Sequence, residues 1–170
     1  MPAAVFIVLH QPPWHKSQLS EVLSRYCRLP VLPAEAGRAI EHGFVYVAQP
    51  DLHLILDGYM DLWRGPKENR YRPAINVLFR SAAVAYQERV CGVVLSGTLD
   101  DGSAGLWWVK RYGGVALVQD PGEADFPDMP SSAMEHVTVD YVLPVREMGR
   151  VLTDLATAEQ PVEGGPPLQR

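Results

Sequence analysis

The residues best suited to chemistry lie in an acidic turn that follows an apolar run. Val93 to Leu95 predicts a buried strand, and Asp100 and Asp101 stand between it and a helix predicted over Gly102 to Tyr112. In open α/β sheets ligands bind at the carboxyl ends of the strands, so both aspartates are candidates for chemistry. The alternative is that one of them only caps the following helix. One aspartate can also cap while the other takes part in chemistry.

A histidine ends a second apolar run. His10 follows a strand predicted over Ala3 to Leu9, and in a parallel sheet it would reach the same edge as Asp101 if the two strands are near neighbours. A histidine and a carboxylate at one sheet edge suggest the base and orienting group of a nucleophilic hydrolase. The first alternative is a loop histidine with a solvated ring. The second is a metal site, which no metal-motif spacing supports, with the candidate ligands His10, His15, Asp100 and Asp101.

The elements that would position these residues alternate between strand and helix. Short apolar runs typical of buried strands are separated by stretches in which apolar residues recur at helical spacing. Pro73 is predicted to take the first position of a helix, and Asp57-Gly58 predicts a hairpin between His53–Leu56 and Tyr59–Trp63. The fold class is therefore α/β, with a doubly wound, mainly parallel sheet and an inserted antiparallel hairpin.

Composition limits the function classes. The chain has 170 residues, 47% of them hydrophobic, and its net charge of -5 provides no general basic surface for nucleic acid. Its apolar runs are too short for membrane insertion and no charged leader precedes the first strand, so a cytoplasmic protein is expected. Cys27 and Cys91 lack zinc-ligand spacing and are predicted to be free thiols in a reducing compartment.

The domain is predicted to span residues 1–157. Residues 158–170 contain three prolines and two glycines with hardly any apolar pattern. This composition cannot bury enough apolar surface to order the backbone, so a disordered tail is expected there.

Several motifs, taken in order, resemble the catalytic domain of the CheB-type chemotaxis receptor methylesterases. They are Val8–Pro13, Gly43–Ala48, Arg72–Ala82, Ser96–Gly102, Gln119-Asp120 and Met129-Pro130. The resemblance covers nearly the whole chain. It implies the α/β fold, a cofactor-free carboxylic-ester hydrolase without a metal, and hydrolysis of glutamate methyl esters on receptor helices, with glutamine deamidation as a second activity.

The resemblance also implies roles for individual residues. His10 matches the general base of the family's Ser-His-Asp triad, and Asp101 matches the aspartate that orients it. Thr98 stands where many members have a methionine credited with lending its backbone N–H to the oxyanion. Two further cleft residues, Arg72 and Met129, belong to matching motifs. The sequence departs from the family at Leu99, which replaces a common glycine and puts the shape of this loop in question.

The largest departure concerns the nucleophile. In the family, a serine in a glycine-rich strand-to-helix turn precedes the strand that matches Ala3 to Leu9, and no serine of this chain lies in such a turn. We therefore expect an N-terminally truncated domain that is inactive as written, with the serine upstream of Met1. One alternative is a non-catalytic remnant that binds receptor or partner helices, and another is an unrelated α/β binding module. The expected partners are receptor helices, with a response regulator or methyltransferase as further candidates.

Overall fold

The structure is a computed structural model that describes residues 1–14 and 17–158. His15 and residues 159–170, which make up nearly all of the predicted tail, lie outside the described residues. The elements are β1 (Val5–Ile7), α1 (Leu19–Ser24), β2 (Val31–Pro33), β3 (Val45–Val47), β4 (His53–Leu56), β5 (Met60–Trp63), α2 (Ile75–Tyr86), a 3₁₀ turn (Gln87–Arg89), β6 (Cys91–Val94), α3 (Ser103–Arg111), β7 (Val115–Gln119), α4 (Asp128–His136), β8 (Tyr141–Leu143) and α5 (Val145–Thr157).

The strands of the described chain form two parallel sheets and one hairpin. One parallel sheet has the order β1-β3-β2 and the other the order β6-β7-β8, while β4 and β5 pair antiparallel. The α/β class, the parallel pairing and the inserted hairpin are thus confirmed. The expected continuous sheet is instead divided, because in the described residues β1 pairs only with β3, and β6 only with β7.

Burial follows this division. The middle strand β3 is buried at all three residues and β7 at four of five, as expected for parallel strands with a neighbour on each side. By contrast, all three residues of β1 and two of the four in β6 are only half-buried. Each parallel sheet therefore has one outer edge on the strand that leads to a candidate site residue.

The hairpin forms where the sequence predicts it. Leu56 pairs with Met60, and Gly58 between them has a φ of +73°. This left-handed conformation is easy for glycine, which has no Cβ to clash with the backbone. The Asp-Gly signal therefore identified the turn correctly.

Helices α2 and α3 pack closely against each other. A Cβ on Gly105 in α3 would lie 2.8 Å from Cα of Asn76 and 2.7 Å from Cβ of Phe79, both in α2. Only a glycine permits this approach without moving a helix. Because α2 and α3 follow the loops that carry the candidate site, their packing fixes the relative position of those loops.

One helix start differs from the sequence prediction. Ala74 is extended, with φ of -113° and ψ of 141°, so α2 begins at Ile75 and Pro73 precedes it. The Ala74 N–H donates to Nδ1 of the buried His53 at 3.2 Å. The short run Met129-Pro130 of the matching motif lies in α4, which begins at Asp128. None of the helices in the described residues has the length and apolar character needed to cross a membrane.

Candidate active site

His10 and Asp101 meet although they follow strands of different parallel sheets. Nε2 of His10 lies 2.7 Å from Oδ2 of Asp101, although the residues are 91 positions apart. His10 follows β1 and Asp101 follows β6, so each side chain sits beyond the carboxyl end of its strand. The expected proximity of this pair is observed.

Asp101 is held by the amino terminus of α2. Its side chain is fully buried, Oδ2 accepts a hydrogen bond from the Ile75 N–H at 2.7 Å, and Oδ1 accepts one from the Asn76 N–H at 3.1 Å. These first-turn amides have no partner within their own helix, and the helix dipole favours a negative charge there. The Asp101 side chain is thus fixed by two backbone amides, and Oδ2 is also the atom that contacts His10.

The alternative that Asp100 or Asp101 caps the following helix is not what the structure shows. The helix α3 has Gly102 as its N-cap and no side-chain hydrogen bond there. Asp100 is exposed, and only its backbone carbonyl accepts from the Ser103 N–H, at 3.2 Å. The Asp101 side chain instead points to α2, because the packing of α2 against α3 brings the Ile75 and Asn76 amides within hydrogen-bond distance.

Asn76 performs the reciprocal cap and was missed by the sequence analysis. Its Oδ1 accepts from the Gly102 N–H at 3.0 Å and from the Gly105 N–H at 2.7 Å, at the start of α3. Asn76 in α2 therefore satisfies amides at the start of α3, and Asp101 in the turn before α3 satisfies the first amides of α2. The available signal was a polar residue on the apolar face of α2, where Asn76 is 2% exposed.

The His10 ring is constrained on a second side by Tyr71. The two ring centroids lie 3.5 Å apart and the planes differ by 2°. In the tautomer with a proton on Nε2, that atom donates to Asp101 and Nδ1 is the nitrogen that can accept a proton. Among the described residues no hydrogen-bond partner is found for Nδ1. The arrangement is therefore that of a histidine base oriented by an acidic side chain.

Comparison with known proteins places this geometry in a family. A family model described as CheB methylesterase matches residues 1–152. The chain belongs to the CheB methylesterase family. A protein of Leptospira interrogans is 36% identical over 153 residues, which are 89% of this chain and 79% of that protein. The Thermotoga maritima protein-glutamate methylesterase/protein-glutamine glutaminase is 34% identical over 159 residues, 91% of this chain but 46% of that protein.

A solved structure shares the fold. The CheB methylesterase catalytic domain of Thermotoga maritima superposes with a TM-score of 0.85 at 34% identity, covering 88% of this chain and 82% of that domain. The chain spans less than half of some longer curated relatives, such as the 43% covered in the Methanosarcina mazei protein-glutamate methylesterase/protein-glutamine glutaminase 2.

In this CheB methylesterase domain the loop after β6 holds a leucine in a backbone conformation that favours glycine. Leu99 has a φ of 68°, the left-handed conformation that favours glycine. Two backbone hydrogen bonds join this loop to α4 and the residues before it. The Gly97 N–H donates to the Phe126 carbonyl at 2.9 Å, and the Met129 N–H in α4 donates to the Gly97 carbonyl at 3.0 Å. These bonds hold Leu99 in a conformation that costs a side chain about 1 kcal/mol or more. Thr98 is exposed on the same loop.

Arg72 and Met129 occupy different surroundings. Arg72 donates from Nε to Oδ1 of Asp51 at 2.9 Å and from Nη1 to the Gly65 carbonyl, and its side chain is 16% exposed. The Arg72 hydrogen bond is the largest cause of a lowered pKa at Asp51, to which Arg64 also contributes. Met129 is 4% exposed and packs beside Gly97.

No described serine, threonine or cysteine side chain hydrogen-bonds to His10. The hydroxyl of Ser96, which lies in the loop between β6 and Asp101, instead accepts from the Phe126 N–H at 3.0 Å. Cys91 begins β6, at the opposite end of the strand, and burial raises the pKa of its thiol to about 11. A neutral thiol there is a poor nucleophile.

The structure offers no support for the metal alternative. Within residues 1–14 and 17–158, no three His, Cys, Asp or Glu side chains are grouped as metal ligands would be. His15, the remaining candidate ligand, lies outside the described residues.

Proposed function

We propose that this domain hydrolyses glutamate methyl esters on chemotaxis receptors, with His10 as general base and Asp101 as its orienting carboxylate. The single observation that carries the proposal is the 2.7 Å hydrogen bond from His10 to the buried Asp101. The curated relatives support the substrate class, because they are named protein-glutamate methylesterase/protein-glutamine glutaminase.

The mechanism follows the chemistry of a serine hydrolase. A serine hydroxyl attacks the ester carbonyl carbon and its proton passes to Nδ1 of His10. The imidazolium returns the proton to the departing methoxide, which leaves as methanol and yields an acyl-enzyme. Water, deprotonated by the same nitrogen, then releases the glutamate carboxylate. With a glutamine side chain, the same steps release ammonia.

We propose that the serine comes from a strand outside residues 1–170 that lies between β1 and β6. Two observations favour this position: each of these strands has one edge without a strand partner in the described chain, and the base and its carboxylate follow those strands. Unpaired parallel strand edges are ones that natural sheets avoid. In this proposal residues 1–157 form the N-terminally truncated domain, and a protein of residues 1–170 alone is inactive.

The loop after β6 supplies the remaining roles. The Thr98 N–H makes no hydrogen bond within the described residues, so it is free to donate to the oxyanion of the tetrahedral intermediate. Arg72 and Met129 are proposed to border the cleft, with Arg72 close to acidic receptor side chains. We further propose a cytoplasmic location, with receptor helices as partners and a response regulator or methyltransferase as additional ones.

A second function is favoured by one observation. Since no described serine, threonine or cysteine side chain hydrogen-bonds to His10, the domain can retain the cleft and bind receptor or partner helices without catalysis.

Methanol release from methylated receptor distinguishes the two functions. We would compare residues 1–170 with an extended protein that adds the upstream strand and its serine, and with the same extension carrying alanine for that serine. We expect hydrolysis from the serine-containing extension alone, because covalent catalysis needs the nucleophile. Equal rates from the short and extended proteins would refute the proposed source of the nucleophile. No hydrolysis by any of the three would favour the binding function.

A further inference from the structure

The ring of Tyr71 lies face to face with the ring of His10 and is the second of two constraints on it. The hydrogen bond from Nε2 to Asp101 fixes one atom of the imidazole but leaves the ring free to tilt about that atom. A parallel ring with its centroid 3.5 Å away removes this freedom. Together the two contacts fix the direction of Nδ1, the nitrogen that must receive the proton.

The turn that carries Tyr71 is itself rigid. Glu68 and Tyr71 exchange two backbone hydrogen bonds, of 3.1 and 2.9 Å. Between them Asn69 and Arg70 both have positive φ, 49° and 72°, which is the geometry of a type I′ turn. The backbone dihedral angles of such a turn are well defined, so the position of Glu68 determines that of Tyr71.

Both flanks of the turn are tied to the rest of the domain. Glu68 accepts two hydrogen bonds from the guanidinium of Arg80 in α2, at 3.1 and 2.9 Å. On the other side Arg72 binds Asp51 and the Gly65 carbonyl. Paired guanidinium and carboxylate groups fix orientation as well as distance. The helix α2 thus holds Asp101 through its first amides and Tyr71 through Arg80, and these two residues contact His10 from different directions.

We propose that Tyr71 is a positioning residue for the general base: its ring holds the His10 imidazole in the plane in which Nδ1 receives the nucleophile's proton. The catalytic consequence rests on the proposed function, but the stack can be tested without it. Reaction rates are sensitive to the orientation of a base, and a misplacement of about 1 Å can cost about 100-fold. A residue that merely filled space would be replaceable by any side chain of similar volume.

The first test measures the ring in the 170-residue chain by NMR. Nitrogen-correlated spectra report the His10 ring protons and the tautomer, and His10→Gln identifies the signals. We expect upfield ring protons and a proton on Nε2 in the wild type and in Tyr71→Phe. In Tyr71→Leu these protons should move downfield and the tautomers mix. Tyr26→Leu, at a tyrosine that is 85% exposed, is the matched control and should change nothing.

A second variant, Glu68→Gln, keeps the proposal testable if Tyr71→Leu does not fold. Glu68→Gln weakens the tie to Arg80 while retaining Tyr71, and we expect it to move the His10 signals in the same direction by less. His10 signals that are identical in the wild type, Tyr71→Leu and Glu68→Gln would overturn the proposal.

Kinetics of the extended, serine-containing protein separate positioning from binding. We expect Tyr71→Leu to lower kcat about tenfold or more with little change in KM. Tyr71→Phe, which keeps the ring, should retain the wild-type kcat. An equal loss in Tyr71→Phe and Tyr71→Leu would contradict a role for the ring. If the wild-type extended protein itself hydrolyses nothing, the proposed function fails, while the NMR comparison still decides whether Tyr71 orients His10.

Discussion

At the scale of single residues, Asp101 has two partners that would otherwise be unrelated. It satisfies the first amides of α2 and it binds His10, so one buried carboxylate stabilises a helix and orients a base. Its place at a strand end was predictable from the apolar run before it. The capping of α2 was not, because it depends on how two helices pack and on the buried Asn76, whose role is visible only in three dimensions.

Leu99 is the residue at which local strain can be measured. With φ of 68° and its side chain 44% exposed, it holds a left-handed conformation with little compensating burial. We expect Leu99→Gly to raise the free energy of unfolding by about 0.5 to 1 kcal/mol, since relief of the clash outweighs the added freedom of the unfolded chain. Denaturant unfolding measures this. Leu99→Ala retains a Cβ and should bring no gain; a gain as large as that of Leu99→Gly would show that strain is not the cause.

At the scale of elements, the sequence predicted most strands and helices but not all of their ends. Alternation of apolar runs with helical spacing identified the hairpin and the parallel strands correctly. The start of α2 was displaced because Ala74 binds His53 and Ile75 binds Asp101, contacts made with residues distant in sequence. Helix boundaries that depend on tertiary hydrogen bonds carry no local signal.

The contact between α2 and α3 predicts a contrast between two glycines. Gly105→Ala would place a Cβ 2.8 Å from Cα of Asn76, so it should lower the free energy of unfolding by about 2 kcal/mol or more. Gly149→Ala in α5 is the matched control, because nothing lies within 4 Å of its added Cβ. There alanine should stabilise by about 0.5 to 1 kcal/mol. Thermal and denaturant unfolding test the pair, and equal effects of the two changes would contradict the packing described.

At the scale of the whole molecule, the described chain has two separate parallel sheets, and the base follows a strand of one while its carboxylate follows a strand of the other. Parallel strands with apolar runs predicted the sheets, and the positions of His10 and Asp101 at strand ends predicted that they would meet. The division between β1 and β6 was not evident from periodicity, since each strand looks locally complete. Any activity must therefore depend on how rigidly the two sheets are joined, and the His10–Asp101 bond is one of the links.

The most direct test of the account is methanol release from methylated receptor by the extended, serine-containing protein and its histidine variants. His10→Ala removes the proposed base and should lower the rate at least about 100-fold. His136→Ala changes an exposed histidine at the end of α4 and should leave the rate within about twofold, as expected for a surface substitution. Hydrolysis by His10→Ala at the wild-type rate would contradict the assignment of His10 as the general base.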